Sequence, residues 1–266
     1  MAGSSDSCNL FVFPLYILQI ESMNLPNRLK SVFTVLLGLY LIISTTLVYL
    51  LTRENRVMHA VISMGLGLVL LWVVLGGLLM YFLRDRIRSI IHVIPVPWQL
   101  KFILFGILMA MLEEAITTTM TNLAPLFGVK VGEAYITAST NYLDVILHHS
   151  VIVFVLWFIA WAWILNRYDF SPFWVFLLFG LNGLFAESLT FGWGHLNEFA
   201  LWVFVYGLMI YLPAYTIPAD RGAQRPKVWH AALAFVLPLL IGIPWAIIVN
   251  LISPNHPSIH FPTIQI

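Results

Sequence analysis

Several ionisable side chains lie within, or directly beside, apolar stretches of this sequence, and six of them are candidates for a site. Inserting such a side chain into a bilayer costs about 2.5–3.5 kcal/mol, so these residues usually face the interior of a helix bundle and mark function. Carboxylates and imidazoles are also the groups that activate water or hold zinc and iron. The sequence therefore predicts hydrolytic or metal chemistry inside a membrane. The six residues are Glu113, Glu114, Asp144, His148, Glu187 and His195.

Two chemical roles are open to this set. In the first, Glu113 or Glu114 is the general base that activates a water molecule, with His148 as the third catalytic residue. In the second, a divalent metal, zinc or iron, is bound, which would also explain how adjacent glutamates tolerate a low-dielectric setting. The helical zinc signatures His-Glu-x-x-His and His-x-x-x-His do not occur. The predicted metal ligands are Asp144, His148, Glu187 and His195.

The depth of these residues supports a single site. A helix rises about 1.5 Å per residue, which puts Glu113 and Glu114 roughly 23 Å above the start of their span. Glu187 lies about 21 Å above the same side of the membrane. His148, counted from the opposite side of a core about 30 Å thick, also lies about 21 Å up. We therefore expect three helices to bring their polar groups to one level.

The spacing along each helix agrees with this prediction. Asp144 and His148 are four residues apart, so they share a face of an α-helix. Gly180, Gly183 and Glu187 also share a face, where the glycines would let a neighbouring helix approach closely. The sequence thus predicts one polar pocket lined by the third, fourth and fifth spans.

These residues must be positioned by membrane-spanning helices. Hydrophobic residues make up 61% of the chain and charged residues 9%, which is far from the average of soluble proteins. We expect an all-α, polytopic transmembrane bundle over residues 31–253, with short loops. Residues 1–30 are predicted to be interfacial or disordered, and residues 254–266 to be a Pro-rich tail. Seven stretches have the roughly 20 apolar residues that a span needs: Ser31–Thr52, Val57–Leu83, Trp98–Phe127, Tyr142–Leu165, Phe173–Phe191, Glu198–Ile217 and Val228–Ile252.

Charge indicates the orientation and the partners. With seven spans, ten Lys and Arg residues fall on one side of the membrane and three on the other. The positive-inside rule then puts the N-terminus in the cytoplasm and the C-terminus outside. No basic stripe with interleaved aromatic residues is present, so no nucleic-acid partner is expected. The lipid bilayer is the expected surrounding, and a lipid or a membrane peptide the expected substrate.

Two short segments resemble the motifs of a known family. Glu113-Glu114, followed by Phe191-Gly-Trp-Gly-His195, is similar to the first two motifs of the CAAX-protease and related glutamate intramembrane proteases. The resemblance implies that paired glutamates and two histidines activate water within the membrane. The sequence departs from the pattern at Thr118, where the family's motif has an arginine. It also departs at His230-Ala-Ala-Leu-Ala234, which lacks the usual Asn or Asp.

Other functions remain open from the sequence. Carboxylates and histidines inside a bundle are the usual relay elements of proton- or ion-coupled transporters. The same side chains also serve as interhelical hydrogen-bonding groups in a structural membrane protein without catalysis. A haem-binding electron carrier would use His148 or His149 with His195 as axial ligands. A transport path must reach both sides, whereas the polar residues cluster in one half of the predicted bundle, which favours the hydrolase.

Overall fold

The structure, a computed structural model, describes residues 26–252 together with Phe261 and Ile264. The predicted interfacial segment at the N-terminus, up to residue 25, lies outside the described residues, as does most of the predicted Pro-rich tail. The described chain is built from helices, and none of its residues belongs to a strand. This confirms the all-α prediction.

Eight helices follow one another along the described chain. Short 3-10 turns follow the third helix at Ala124–Phe127 and precede the seventh at Trp193–Glu198. The second helix contains a π-helical segment, Val69–Gly76, and the fourth ends in another, Val145–His149. The helices are α1 (Asn27–Leu51), α2 (Arg56–Val93), α3 (Trp98–Asn122), α4 (Tyr142–His149), α5 (Val151–Arg167), α6 (Pro172–Phe191), α7 (Phe199–Tyr215) and α8 (Val228–Ile252).

Most of these helices are suited to a membrane. Five helical segments are long and apolar enough to cross a bilayer, and α4 with α5, bent by 48° at Ser150, would form a sixth span. Many leucine and isoleucine side chains on the outer faces are exposed, and a bilayer would cover them. The chain is therefore a multi-pass integral membrane protein. Counting α3, which carries Glu113 and Glu114, would give seven spans, so the number seven stays a prediction.

Helix α2 is longer than the span predicted to end at Leu83. It has 38 residues and ends at Val93, so it is about 57 Å long against a hydrocarbon core of about 30 Å. Its last turns carry charged residues that interact with α7. Arg84 Nη1 donates to the Tyr211 hydroxyl at 3.3 Å, and Asp85 accepts from Tyr215 at 2.7 Å. The hydropathy of the sequence falls after Leu83, which predicts the end of the span there. The helix continues to Val93, and these contacts with α7 support it.

The two ends of the bundle are distinguished by hydrogen bonds at one end and by a long connection at the other. At one end, which we name the basic end, Lys101 Nζ donates to the Ile91 carbonyl oxygen at 2.8 Å. Arg221 Nε there donates to the Leu165 carbonyl oxygen, also at 2.8 Å. At the other end lies the long connection 123–141, so we name it the loop end. The helices run alternately between these two ends.

Glycines bring α6 and α7 into close contact. A Cβ atom at Gly180 would lie 2.6 Å from the Val203 carbonyl oxygen, and one at Gly183 would lie 2.0 Å from Tyr206 Cδ2. Only glycine leaves room for this approach. The predicted close packing at Gly180 and Gly183 is confirmed, and it places Glu187, on the same face, against α7.

An aromatic layer fills the bundle between its middle and the basic end. We define it as Trp157, Phe158 and Trp161 of α5 with Phe179 of α6, all of them buried. The rings of Phe158 and Phe179 are stacked, with centroids 5.6 Å apart and an interplanar angle of 7°. Gly106 of α3 lies directly against Phe158, since a Cβ there would be 2.7 Å from the ring. The layer leaves the loop end as the side from which polar groups can be reached.

Candidate functional site

A cavity of about 440 Å³ lies on the loop-end side of the aromatic layer. Helices α2, α3, α6 and α7 line it, together with the connection 123–141, Thr45 of α1, the bend between α4 and α5, and Ile264. Of the six residues singled out in the sequence, Glu113, Glu114, Glu187 and His195 line this cavity, whereas Asp144 and His148 do not. The other polar lining side chains are Thr45, Thr117, Tyr135, Thr137, His149, Ser150, Glu198, Trp202 and Tyr206.

Glu114 is held by hydroxyl groups from three different segments. Thr117, one turn further along α3, donates to Oε2 at 2.9 Å, and Thr137 of the connection donates to the same oxygen at 3.3 Å. Ser150, at the bend between α4 and α5, donates to Oε1. Both oxygens of Glu114 are therefore occupied, and the carboxyl group ties α3 to the connection and to the bend.

Glu113 is equally buried but differently used. Its side chain points about 100° away from that of Glu114 around the helix, and it lines the same cavity. It interacts electrostatically with Glu114 and Glu187. Within the described residues, no hydrogen bond reaches its carboxyl group. Glu113 is thus the buried carboxyl that faces the cavity with its oxygens available to a water molecule or a substrate.

Glu187 is positioned by Tyr206. The Tyr206 hydroxyl, on α7, donates a hydrogen bond to Glu187 Oε1 of α6. The Tyr206 ring lies directly on Gly183, where any larger residue would displace it. The close packing of α6 on α7 therefore sets the position of this carboxyl group as well as the helix separation. Glu187 also interacts electrostatically with His195.

His195 belongs to a second hydrogen-bonded group near the surface. Glu198 Oε2 lies 3.0 Å from His195 Nδ1 and accepts from Trp202 Nε1, also at 3.0 Å. The His195 side chain is 28% exposed and that of Glu198 is 48% exposed, whereas Glu113 is only 4% exposed. His195 and Glu198 therefore lie at the mouth of the cavity, with the paired glutamates at its floor. With Nδ1 engaged, Nε2 is the ring nitrogen left for chemistry.

The bend before α5 explains why His149, rather than His148, lines the cavity. The pairing of Asp144 with His148 assumed α-helical spacing, but Val145–His149 is a π-helical turn. Its signature is the bond from the Ser150 amide to the Val145 carbonyl oxygen at 3.0 Å, five residues back. The extra residue in the turn rotates the end of the helix about its axis, so that His149 and Ser150 reach the cavity. Such π-helical turns are frequent at functional sites.

The predicted metal site has no matching ligand arrangement in the described part of the chain. No group of three His, Cys, Asp or Glu side chains among those residues is arranged to hold a metal ion. Of the four predicted ligands, only Glu187 and His195 reach the cavity. Asp144 lies beside the connection, where its Oδ2 is 3.5 Å from the Ser139 hydroxyl. A zinc or iron site therefore stays a prediction.

Several cavity residues were not selected from the sequence. Trp202 and Tyr206 follow the ionisable Glu198 at intervals of four, so these side chains share one face at the start of α7. That spacing was a usable signal. Thr137 carried no such signal, since its position depends on the path of an irregular connection.

Comparison with known proteins assigns no family. No family model matches the sequence, and no curated protein or solved structure matches it either. The two motif-like segments, Glu113-Glu114 and Phe191–His195, are thus informative through their geometry, because both reach the same cavity. The arrangement of the site carries the functional argument.

Proposed function

We propose that this protein is a membrane-embedded hydrolase in which Glu113 is the general base for a water molecule in the cavity. The observation that supports this most directly is the convergence of Glu113, Glu114, Glu187 and His195 on one cavity. A carboxylate and an imidazole that line the same cavity are the types of groups that general acid–base catalysis uses. Because lipid surrounds the bundle, the substrate would be a lipid or a membrane peptide.

Each group has a role in the proposed reaction. Glu113 accepts a proton from water, and the resulting hydroxide attacks the carbonyl carbon of an ester or amide. The Nδ1 atom of His195 lies against Glu198. As an imidazolium, His195 donates the proton on Nε2 to the leaving group. Glu114 and Glu187 are positioning residues, since their carboxyl oxygens are engaged by Ser150, Thr117 and Thr137 and by Tyr206. The acyl C–O or C–N bond breaks as the tetrahedral intermediate collapses. The proton held by Glu113 then passes through water in the cavity to His195, which restores both groups for the next turnover.

The aromatic layer favours this proposal over transport. A conduit needs polar groups or water along its whole length. Between the cavity and the basic end, the described bundle instead contains the buried rings of Trp157, Phe158, Trp161 and Phe179. A hydrolase needs access to its cavity from only one side of the membrane. A transporter would have to move this layer during every cycle.

The orientation that accompanies the proposal is inferred from charge. The basic end carries most of the Lys and Arg residues and would lie in the cytoplasm under the positive-inside rule. The cavity would then lie in the extracytoplasmic half of the membrane. Accessibility of a cysteine introduced in the connection 123–141 to a membrane-impermeant thiol reagent, in a variant with Cys8 replaced by serine, would test this orientation in cells.

The hydrolase proposal is tested with the purified protein in lipid nanodiscs. Two probes are used, a series of p-nitrophenyl acyl esters and a fluorogenic transmembrane peptide. Glu113→Gln should lower kcat/KM by about 10²- to 10⁴-fold, the usual contribution of a general base. Asp144→Asn is the matched control, because it removes a nearby acid outside the cavity. Retention of full activity by Glu113→Gln, with either probe, would refute the assignment.

A further inference from the structure

One wall of the cavity carries no polar side chains. Helix α2 contributes Val61, Ile62, Gly65, Leu68 and Val69 to the lining. The polar side chains belong to the other lining segments, which are α1, α3, the connection, the bend before α5, α6 and α7. The cavity thus combines an apolar wall with the polar groups that surround the glutamates. We refer to the five α2 residues as the α2 wall.

Gly65 borders open space on the α2 wall. A Cβ atom added there would meet no heavy atom within 4 Å. Two residues further along, a Cβ at Gly67 would lie 2.2 Å from Met120 Sδ. The two glycines therefore differ in their surroundings: Gly67 is required for packing, whereas Gly65 borders empty space. A methyl group at position 65 would meet no neighbour, and a larger side chain there would take up part of the cavity.

The α2 wall, from Val61 to Val69, is about 12 Å long. Trp72 follows on α2, outside the residues that line the cavity. It is buried, and its Nε1 donates to the Val205 carbonyl oxygen of α7 at 3.0 Å. This bond holds α2 against α7 next to the inner end of the wall.

The chemistry of the wall suits a hydrocarbon chain better than a peptide. An extended peptide brings backbone N–H and C=O groups, which are costly to bury without hydrogen-bond partners. Peptide-binding sites often satisfy these groups at the edge of a sheet, and the described chain has no strand. A hydrocarbon chain has no such groups. A cavity of about 440 Å³ also lies in the size range typical of small-ligand sites.

We infer that the α2 wall binds one acyl chain of a lipid substrate, and that Gly65 determines how bulky a chain the cavity accepts. This inference rests on the proposed hydrolase function, because it places the chain opposite Glu113 and so presents the acyl carbonyl to the activated water. The α2 wall is long enough for a chain segment of about 12 Å. A substrate with a short acyl group would not reach the wall.

The test compares chain lengths in a single variant series. The p-nitrophenyl esters of acetate, octanoate and palmitate are assayed with the wild type, Gly65→Ala and Gly65→Phe. Gly65→Phe should lower kcat/KM for the two long esters by at least tenfold, since each displaced methylene is worth roughly that factor in an apolar pocket. The acetate ester should change less than twofold. For the long esters, kcat/KM of Gly65→Ala should lie between the values of the wild type and Gly65→Phe. Val74→Phe, which adds bulk to an exposed position of α2, should have the kcat/KM of the wild type.

Failure of this inference can be told apart from failure of the hydrolase proposal. Binding of a pyrene-labelled phosphatidylcholine is measured by fluorescence in the Glu113→Gln background, with and without Gly65→Phe. Binding lost on Gly65→Phe supports the acyl site even if no ester is hydrolysed, in which case only the hydrolase proposal fails. Binding unchanged by Gly65→Phe overturns the acyl site. Equal loss on acetate and palmitate, or cleavage of the peptide probe alone, overturns it as well.

Discussion

The contact between Gly183 and Tyr206 allows a quantitative prediction for Gly183→Ala. The added Cβ would lie 2.0 Å from Cδ2 and 2.1 Å from Cγ of the ring, against an ordinary carbon–carbon contact of about 3.5–4.0 Å. The ring cannot simply turn aside, because Phe154 packs edge-on against it at 5.6 Å and its hydroxyl is bonded to Glu187. Either α6 and α7 separate or Tyr206 leaves Glu187.

The expected loss combines these two effects. Overpacking a buried contact costs about 1–3 kcal/mol, and breaking a hydrogen bond to a buried carboxyl group costs about 1–3 kcal/mol more. We therefore expect Gly183→Ala to lower the free energy of unfolding by about 2–6 kcal/mol. Gly65→Ala is the matched control, because the same change at an uncrowded helical position should raise stability by up to about 1 kcal/mol.

The assay is unfolding in mixed micelles with increasing denaturing detergent, followed by far-UV circular dichroism. Tyr206→Phe keeps the ring and loses only the hydrogen bond, so it separates the two contributions. In a Tyr206→Ala background the clash disappears, and Gly183→Ala should then cost at least about 1 kcal/mol less than in the wild type. Equal stability of Gly183→Ala and Gly65→Ala would show that α6 and α7 are not in the described contact, and the reasoning would fail.

Two further predictions concern the mouth of the cavity. Glu198→Gln should lower kcat with either probe by at least tenfold while changing KM little, because it weakens the partner that orients His195 without touching substrate; an unchanged kcat would remove His195 from the proposed mechanism. Phe261 stacks on Tyr135 with centroids 4.7 Å apart, and burial raises the pKa of the Tyr135 phenol, opposed by a hydrogen bond with the Ile264 backbone. Phe261→Ala should expose Tyr135 and lower that pKa toward its ordinary value, so that phenolate absorbance appears at a lower pH in an alkaline titration. The titration curve of Tyr135→Phe is subtracted to isolate the signal of Tyr135. An unchanged titration would contradict the stacking.

Features governed by helical periodicity could be predicted from the sequence. The helix rise brought Glu113, Glu114 and Glu187 to one depth, and the structure brings them to one cavity. The period of 3.6 put Gly180 and Gly183 on one face, and that face contacts α7. These predictions succeeded because each depends on one regular helix and not on its neighbours.

The remaining features depend on departures from regular helices. A π-helical turn moved the cavity-lining position from His148 to His149, and nothing in an apolar segment with two adjacent histidines indicates such a turn. The hydrogen bonds of Thr137 and Ser150 to Glu114 arise where an irregular connection and a bend meet α3. The helical extension beyond Leu83 was missed because hydropathy measures immersion in lipid, whereas helix length also depends on contacts with α7.

The aromatic layer also affects how proton movement in the protein would depend on the membrane potential. A proton crossing the full bilayer exchanges about 2.3 kcal/mol with each 100 mV of membrane potential. The rings of Trp157, Phe158, Trp161 and Phe179 are buried between the cavity and the basic end. In the proposed hydrolysis, protons taken up and released at Glu113 would therefore return to the compartment they came from. Turnover would then be electrically silent. Its rate would depend on the acidity of one compartment alone, whether the cell is energised or depolarised.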